Sequence, residues 1–148
     1  MRRLTLALIV TGTVMTMAGC SEGATEATDP PAADVVLRVV TNGELAADWT
    51  LASLEAAVEY TTLSADGSDQ SGPLLLDVLE ASGIGDWDSA EILGMGEGRV
   101  FEVTLGIDSA DVDNGWILDV TKQGSLKLAS AGLPREQWVR DVGEIRVP

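Results

Sequence analysis

The residues best suited to chemistry lie in one short polar segment, Ala65-Asp66-Gly67-Ser68-Asp69-Gln70-Ser71-Gly72. It lies between an apolar run and a leucine-rich segment, so we expect a rim loop with packed flanks. Groups that could line a polar pocket come from Asp66, Ser68, Asp69 and Gln70. Asp, Ser and Gly are also typical of a solvated turn, and the sequence leaves both interpretations open.

A second candidate set is positively charged: Lys122, Lys127 and Arg140. Positive charge is scarce here, because the chain has 9 basic and 24 acidic residues and a formal charge of −15. If these side chains converge, they could bind phosphate or another anion against the acidic background. The alternative, which we favour from the sequence alone, is that they are separate surface charges paired with Asp or Glu.

The composition excludes several classes of chemistry. The chain has no histidine, and its single cysteine is Cys20. A Ser-His-Asp triad, histidine general-base catalysis, a typical zinc site and an intramolecular disulfide are therefore excluded. Any catalysis would need Asp, Glu, Lys or Tyr, or a bound cofactor. The strong negative charge repels nucleic acid and anionic lipid head groups, so we expect neither as a partner.

Residues 1–19 have the layout of a secretory signal peptide, with a basic start and an apolar run too short to span a membrane comfortably. The run ends in Met17-Ala18-Gly19-Cys20, which resembles a bacterial lipobox. Such a chain is cut before the cysteine, which then carries acyl chains; an ordinary secretory signal is the alternative. We expect a lipoprotein anchored through Cys20 at the extracytoplasmic face of the cell membrane.

The mature chain is expected to consist of a tether and one domain. Residues 20–34 comprise the lipidated cysteine and a small, polar, proline-containing tether with a mean reach of roughly 20 Å. Residues 35–148 are long enough for one hydrophobic core. Alternating and continuous apolar runs predict mostly strands, with short helices between them. The predicted class is therefore α+β.

The patterns predict individual elements. Strands are expected at 35–41, 45–49, 58–64, 90–95, 99–105, 116–121, 126–129 and 144–147, with Asn42-Gly43 and the glycine-rich 94–98 as turns. Helices are expected at 51–57 with Thr50 as N-cap, at 73–82 with Pro73 in the first turn, and at 134–142, with an acidic helical turn at 108–113. Periodic positions indicate a core role for Trp116 and Trp138, whereas Trp49 and Trp87 lie beside turns and are better candidates for a ligand rim.

The order of these motifs resembles the sulfite-oxidase-like molybdopterin-binding domain. The segment SGPLLLDVLEASGI (71–84) looks like that family's G-V-P-L-x-D-L-L-E-x-A-G. GSLKL (124–128) resembles its G-P-L-R-L strand, and WVRDVGEIRV (138–147) resembles its closing W-V-K-x-V-x-x-I-x-V. The likeness covers most of residues 35–148 in the correct order. It implies the family's mixed, β-rich fold and a molybdopterin site.

The chain departs from that family where the metal is held. The family's molybdenum ligand is a cysteine in a context like L-x-C-x-G-N, and Ala65 stands at its position in Leu63-Ser64-Ala65-Asp66-Gly67-Ser68. A methyl group cannot ligate a metal, and the family's histidine contacts are impossible here. Lys127 replaces the arginine of the G-P-L-R-L strand, which keeps the charge but loses bidentate geometry.

The leading hypothesis is therefore a non-catalytic accessory module that binds a small anionic ligand or a partner protein. Its candidate contacts are Asp66, Lys122, Lys127 and Arg140. The competing hypothesis is a molybdopterin-dependent oxidoreductase that holds its cofactor through backbone amides and lysines, with a non-thiolate metal ligand such as Asp66. A purely structural envelope lipoprotein is the third.

Overall fold

The computed structural model describes residues 34–95 and 101–148. In these two ranges the chain forms nine strands, two short helices and two 3-10 turns, Ser109–Asp111 and Arg135–Gln137. The α+β class is confirmed. The elements are β1 (Leu37–Thr41), β2 (Glu44–Trp49), α1 (Leu51–Ala57), β3 (Tyr60–Ala65), β4 (Ser68–Pro73), α2 (Leu75–Ala81), β5 (Ser89–Met95), β6 (Phe101–Asp108), β7 (Trp116–Val120), β8 (Leu126–Ser130) and β9 (Val142–Val147).

The largest layer is a five-stranded sheet with the order β2-β1-β9-β5-β6. The first and last strands of the described ranges, β1 and β9, pair in parallel, whereas the other neighbours are antiparallel. The hairpins β3–β4 and β7–β8 form two further two-stranded sheets. None of the helices in the described ranges is long and apolar enough to cross a membrane.

The main core lies between the five-stranded sheet, the helices and one face of β7–β8. Its fully buried residues include Leu37, Ile92, Ile145, Leu54, Leu79, Leu118, Leu126 and Leu128. The opposite face of β7–β8 contributes Ile117 and Ala129 to a smaller cluster with Ala65 and Trp138. Alternate residues of a strand point to opposite faces, so one hairpin serves both clusters.

The polar segment 65–72 was expected to be a loop, and that expectation is wrong. It forms the two-residue turn Asp66-Gly67 and most of strand β4. Both turn residues have positive φ, 50° and 73°, as in the type I′ turn that suits a tight hairpin. β4 packs against the neighbouring hairpin through its backbone rather than through apolar side chains. A Cβ on Gly72 would lie 2.1 Å from the carbonyl oxygen of Leu118, so this close approach requires glycine.

Two of the expected helices also differ. α2 begins at Leu75 rather than Pro73, because Pro73 still pairs with Tyr60 at the end of β4. Residues 134–142 are not a helix. Only Arg135–Gln137 form a 3-10 turn, after which the Val139 carbonyl accepts a hydrogen bond from Leu128 N at 2.8 Å. That contact pairs Val139 with β8, and the chain then bends at Arg140 and Asp141 before it enters β9.

The other expected elements are confirmed, with small shifts of their ends. α1 is capped at Thr50, whose hydroxyl accepts a hydrogen bond from Ser53 N at 3.1 Å while Ser53 Oγ accepts one from Thr50 N at 2.9 Å. The acidic turn at 108–113 is the 3-10 turn Ser109–Asp111. The predicted signal peptide, Cys20 and most of the predicted turn at 94–98 lie outside the described residues.

Candidate functional site

A pocket of about 350 Å³ opens between the β7–β8 turn and the segment that leads into β9. We call it the β8–β9 pocket. Its volume lies at the lower end of the range for small-molecule sites, which suits a compact ligand. The lining residues are Thr121, Gln123, Ser125, Lys127, Arg135, Trp138, Arg140 and Asp141.

Three basic side chains converge on this pocket. Lys127 and Arg140 were candidates from the sequence, and both line it. Lys122 lies exposed in the β7–β8 turn, between two lining residues, and does not line it. Arg135 is the third lining cation and was missed. Its only signal in the sequence was that it is one of the few basic residues after position 20.

Trp138 forms a rigid wall of the pocket. Its side chain is largely enclosed, with the residue 8% exposed. The indole Nε1 donates to the carbonyl oxygens of Ser130 and Leu133 at 3.2 and 3.3 Å, which fixes the ring orientation. Lys127 Nζ lies 5.5 Å from the ring centroid and Arg135 Cζ lies 5.8 Å from it. The ring therefore helps to position two of the three cations by cation–π attraction.

Lys127 is held by a second contact. Its Nζ lies 3.0 Å from Asp119 Oδ2, in a cross-strand pair between β7 and β8. Asp119 Oδ1 accepts a hydrogen bond from the backbone N–H of Ser71 at 2.7 Å. One carboxylate thus connects the β3–β4 hairpin to the lysine and fixes the inner wall of the pocket.

Arg135 makes a looser contact with the tip of the same hairpin. Its Nη1 lies 3.2 Å from Asp66 Oδ2, and the two side chains are 61% and 50% exposed. Ion pairs as exposed as this one contribute about 0.2–1 kcal/mol, because water screens them. Asp66 therefore does not line the pocket but contacts a cation on its rim. We call this contact the turn–rim ion pair.

Arg140 and Asp141 are the two lining charges that have no ion pair or side-chain hydrogen bond with another residue in the described ranges. Both are exposed. Asp141 has φ 49°, in the left-handed region, and its carbonyl accepts a hydrogen bond from Met95 N at 2.7 Å. The neighbouring strand approaches closely here: a Cβ on Gly94 would lie 2.6 Å from the Arg140 carbonyl oxygen.

The other polar residues of the 65–72 segment make contacts within their own hairpin. Ser64 Oγ donates to Asp69 Oδ1, and Gln70 Nε2 donates to Ser68 Oγ at 2.7 Å. Gln70 is 3% exposed, and its Oε1 has no partner among the described residues. None of these side chains lines the β8–β9 pocket. Ala65 is buried in the small cluster behind Trp138.

The two tryptophans proposed for a ligand rim lie elsewhere. Trp49 and Trp87 are partly buried and pack against the main core. Trp49 Nε1 donates to Ser82 Oγ at 3.0 Å, which ties β2 to the end of α2. Neither residue lines the β8–β9 pocket. Trp116 and Trp138 are buried, as their periodic positions predicted.

The residues around Ala65 do not fit the molybdenum ligation that the family resemblance implies. The Ala65 methyl group is enclosed by apolar side chains and carries no donor atom. Within residues 34–95 and 101–148, no three acidic, cysteine or histidine side chains come close enough to hold a metal ion. We therefore derive no chemistry through molybdenum.

The chain matches no protein-family model and no curated protein.

Proposed function

We propose that the protein is a lipid-anchored extracytoplasmic binding module whose β8–β9 pocket takes a small anionic ligand without changing it chemically. The observation that carries this proposal is the convergence of Lys127, Arg135 and Arg140 on one concave site. The chain as a whole has a formal charge of −15, so a local excess of cations is a specific feature rather than a consequence of composition.

The lining provides what a small anion needs. Guanidinium groups offer forked N–H donors to a carboxylate or phosphate, and Lys127 adds a positioned charge. The Thr121 and Ser125 hydroxyls bond to each other at 2.8 Å, so they add polar surface at the turn.

Calorimetric titration at constant ionic strength tests the proposal, with N-acetyl-L-alanine and inorganic phosphate as anionic probes. We expect saturable binding that Arg140→Gln weakens at least tenfold. Arg146→Gln is the matched control, because it removes the same charge from β9, away from the pocket, and should leave affinity within twofold. Absence of saturable binding, or an equal loss in both variants, would contradict a defined anion site.

The fold that we propose is a reduced form of the sulfite-oxidase-like domain, supported by the order of its sequence motifs. A molybdopterin-dependent oxidoreductase is the competing proposal. Metal and pterin analysis of protein expressed with molybdate separates the two. Stoichiometric molybdenum, or pterin fluorescence after acid release, would overturn the accessory module, whereas their absence would overturn the oxidoreductase.

The membrane anchor is tested separately. The support for it is the lipobox-like sequence that ends at the chain's single cysteine. Cys20→Ser should move the protein from the membrane fraction to the soluble fraction, since the acyl chains would have no attachment point. If that variant stays with the membrane, the lipid anchor is wrong.

A further inference from the structure

We propose that the ligand of the β8–β9 pocket is a small zwitterion of the α-amino-acid type, and that Asp141 selects it. This inference rests on the anion-binding function proposed above. It adds a second recognition element: a carboxylate that receives the ligand's ammonium group while the basic residues receive its carboxylate.

The first step is that Asp141 lies where it repels a simple anion. It lines the same pocket as three basic side chains. It follows Arg140 directly in the chain, yet the two form no ion pair with each other or with any other side chain of the described ranges. A carboxylate beside an anion site weakens binding of every ligand that carries negative charge alone.

The second step is that the backbone fixes Asp141. Its φ of 49° is uncommon for a residue with a side chain, although Asp tolerates it. The Met95 N–H holds its carbonyl at 2.7 Å, and the glycine at position 94 permits the close approach of β5. These main-chain contacts hold Asp141 at the pocket, and its carboxylate has no ionic partner in the described ranges.

The third step is the charge balance of the lining. Lys127 already faces Asp119 at 3.0 Å, and Arg135 faces Asp66 at 3.2 Å. Arg140 and Asp141 are the remaining opposite charges, and each lacks an ionic partner in the part of the chain that the structure describes. A ligand with a carboxylate and an ammonium group on adjacent atoms complements both. The volume of about 350 Å³ suits a molecule of this size.

The experiment compares three probes by calorimetry at pH 7: L-alanine, N-acetyl-L-alanine and L-alaninamide. L-Alanine carries both charges, N-acetyl-L-alanine carries only the negative charge, and L-alaninamide carries only the positive charge. We expect the unmodified domain to bind L-alanine at least tenfold more tightly than N-acetyl-L-alanine, and L-alaninamide not measurably. Asp141→Asn should abolish the preference and bind the two carboxylates within twofold of each other. Asn tolerates positive φ, so the variant should keep the fold.

Asp111→Asn is the matched control. It removes the same charge from an exposed position in the 3-10 turn after β6, and it should retain the preference for L-alanine. If N-acetyl-L-alanine binds as tightly as L-alanine, the zwitterion inference is overturned while anion binding stands. If none of L-alanine, N-acetyl-L-alanine and inorganic phosphate binds, the proposed function itself is overturned. An equal change in both Asn variants would also overturn a specific role for Asp141.

Discussion

Basic side chains in the five-stranded sheet and in the β8–β9 pocket have different surroundings. Arg38 on β1 stands opposite Asp48 on β2, at 3.0 Å, and its side chain is only 7% exposed. Arg146 pairs with Glu144, two residues earlier on β9. At the pocket, Arg135 reaches only the tip of a distant hairpin, and Arg140 meets no carboxylate in the described ranges.

The difference follows from backbone position and burial. A buried arginine needs a carboxylate, because an unpaired charge away from water is costly, and strand register supplies one for Arg38. An exposed arginine loses little by lacking a partner, since water solvates it. Arg38 is therefore committed to stability, whereas Arg140, which has no ion pair in the described ranges, is open to a ligand.

The largest expected effect comes from the position where the two regions meet. Gly94→Ala would place a methyl group 2.6 Å from the Arg140 carbonyl oxygen and 2.9 Å from Val139 Cγ1. We expect it to lower the free energy of unfolding by about 1–3 kcal/mol, as overpacking typically does, and to weaken anion binding. Urea denaturation and calorimetry measure the two effects.

Gly106→Ala is its control. Gly106 lies on the neighbouring strand β6, and a Cβ there would meet nothing within 4 Å. That variant should be as stable as the unmodified protein. Equal stability of both variants would contradict the close packing of β5 against the segment before β9.

Arg38→Met should lower stability and leave binding unchanged. It removes a largely buried guanidinium and leaves Asp48 without its partner, while the apolar stem is kept. We expect a loss of about 1.5–3 kcal/mol in the free energy of unfolding, the range for a hydrogen bond to a charged group. Affinity for N-acetyl-L-alanine should stay within twofold. If Arg38→Met is as stable as the unmodified protein but binds N-acetyl-L-alanine more weakly, the roles assigned to the two regions are wrong.

Arg140→Gln should do the opposite. Its exposed side chain has no ionic partner in the described ranges, so the free energy of unfolding should change by less than about 0.5 kcal/mol. Affinity for anionic probes should fall about tenfold, which corresponds to about 1.4 kcal/mol. Thermal unfolding and calorimetry on one preparation compare the two changes directly.

Asp66→Asn should strengthen anion binding. It removes the carboxylate of the turn–rim ion pair, so Arg135 becomes available to the ligand. An exposed ion pair contributes about 0.2–1 kcal/mol, so its removal should raise the affinity for anionic probes by up to about fivefold. Asp69→Asn is the control, since Asp69 bonds Ser64 within the same hairpin. Weaker binding by Asp66→Asn would instead favour the contact role for Asp66 that the sequence suggested.

The smallest expected effect concerns Tyr60 on β3, which lies outside both sets of cations. Burial, followed by the negative charge of Glu55, raises the pKa of Tyr60 above 10.0. The folded state therefore favours the neutral phenol. The resulting contribution to the free energy of unfolding is present below pH 10 and is lost as the pH rises through the folded-state pKa. The Tyr60→Phe variant should not show this loss of stability at high pH. Paired urea denaturation curves of the two proteins at pH 9 and above would detect the difference.

Local patterns in the sequence predicted most elements, and they failed where packing uses the backbone. Apolar residues between turn signals were sufficient for β7–β8, and Asn42-Gly43 and Thr50 marked a turn and a helix start through their own chemistry. β4 could not be recognised, because Gly72 packs by having no side chain. The pattern of residues 68–73 does not show that a Cβ on Gly72 would lie 2.1 Å from the Leu118 carbonyl oxygen.

The pocket was only partly predictable for a related reason. Lys127 and Arg140 were visible as scarce cations, but their convergence depends on a contact between β8 and residue 139. Arg135 was assigned to a helix. In the structure, the 3-10 turn and the extended chain after it bring both Arg135 and Arg140 to the pocket. That geometry comes from tertiary contacts, which local propensity does not encode.

The most direct test of the anion site is the indole N–H resonance of Trp138 during titration with N-acetyl-L-alanine at constant ionic strength. Lys127 Nζ and Arg135 Cζ lie 5.5 and 5.8 Å from the centroid of this ring. We predict a saturable shift of the Trp138 signal, little change at Trp49, and a curve displaced to higher concentration by Arg140→Gln but not by Arg146→Gln. Equal, non-saturating shifts of the tryptophan signals would contradict a defined anion site.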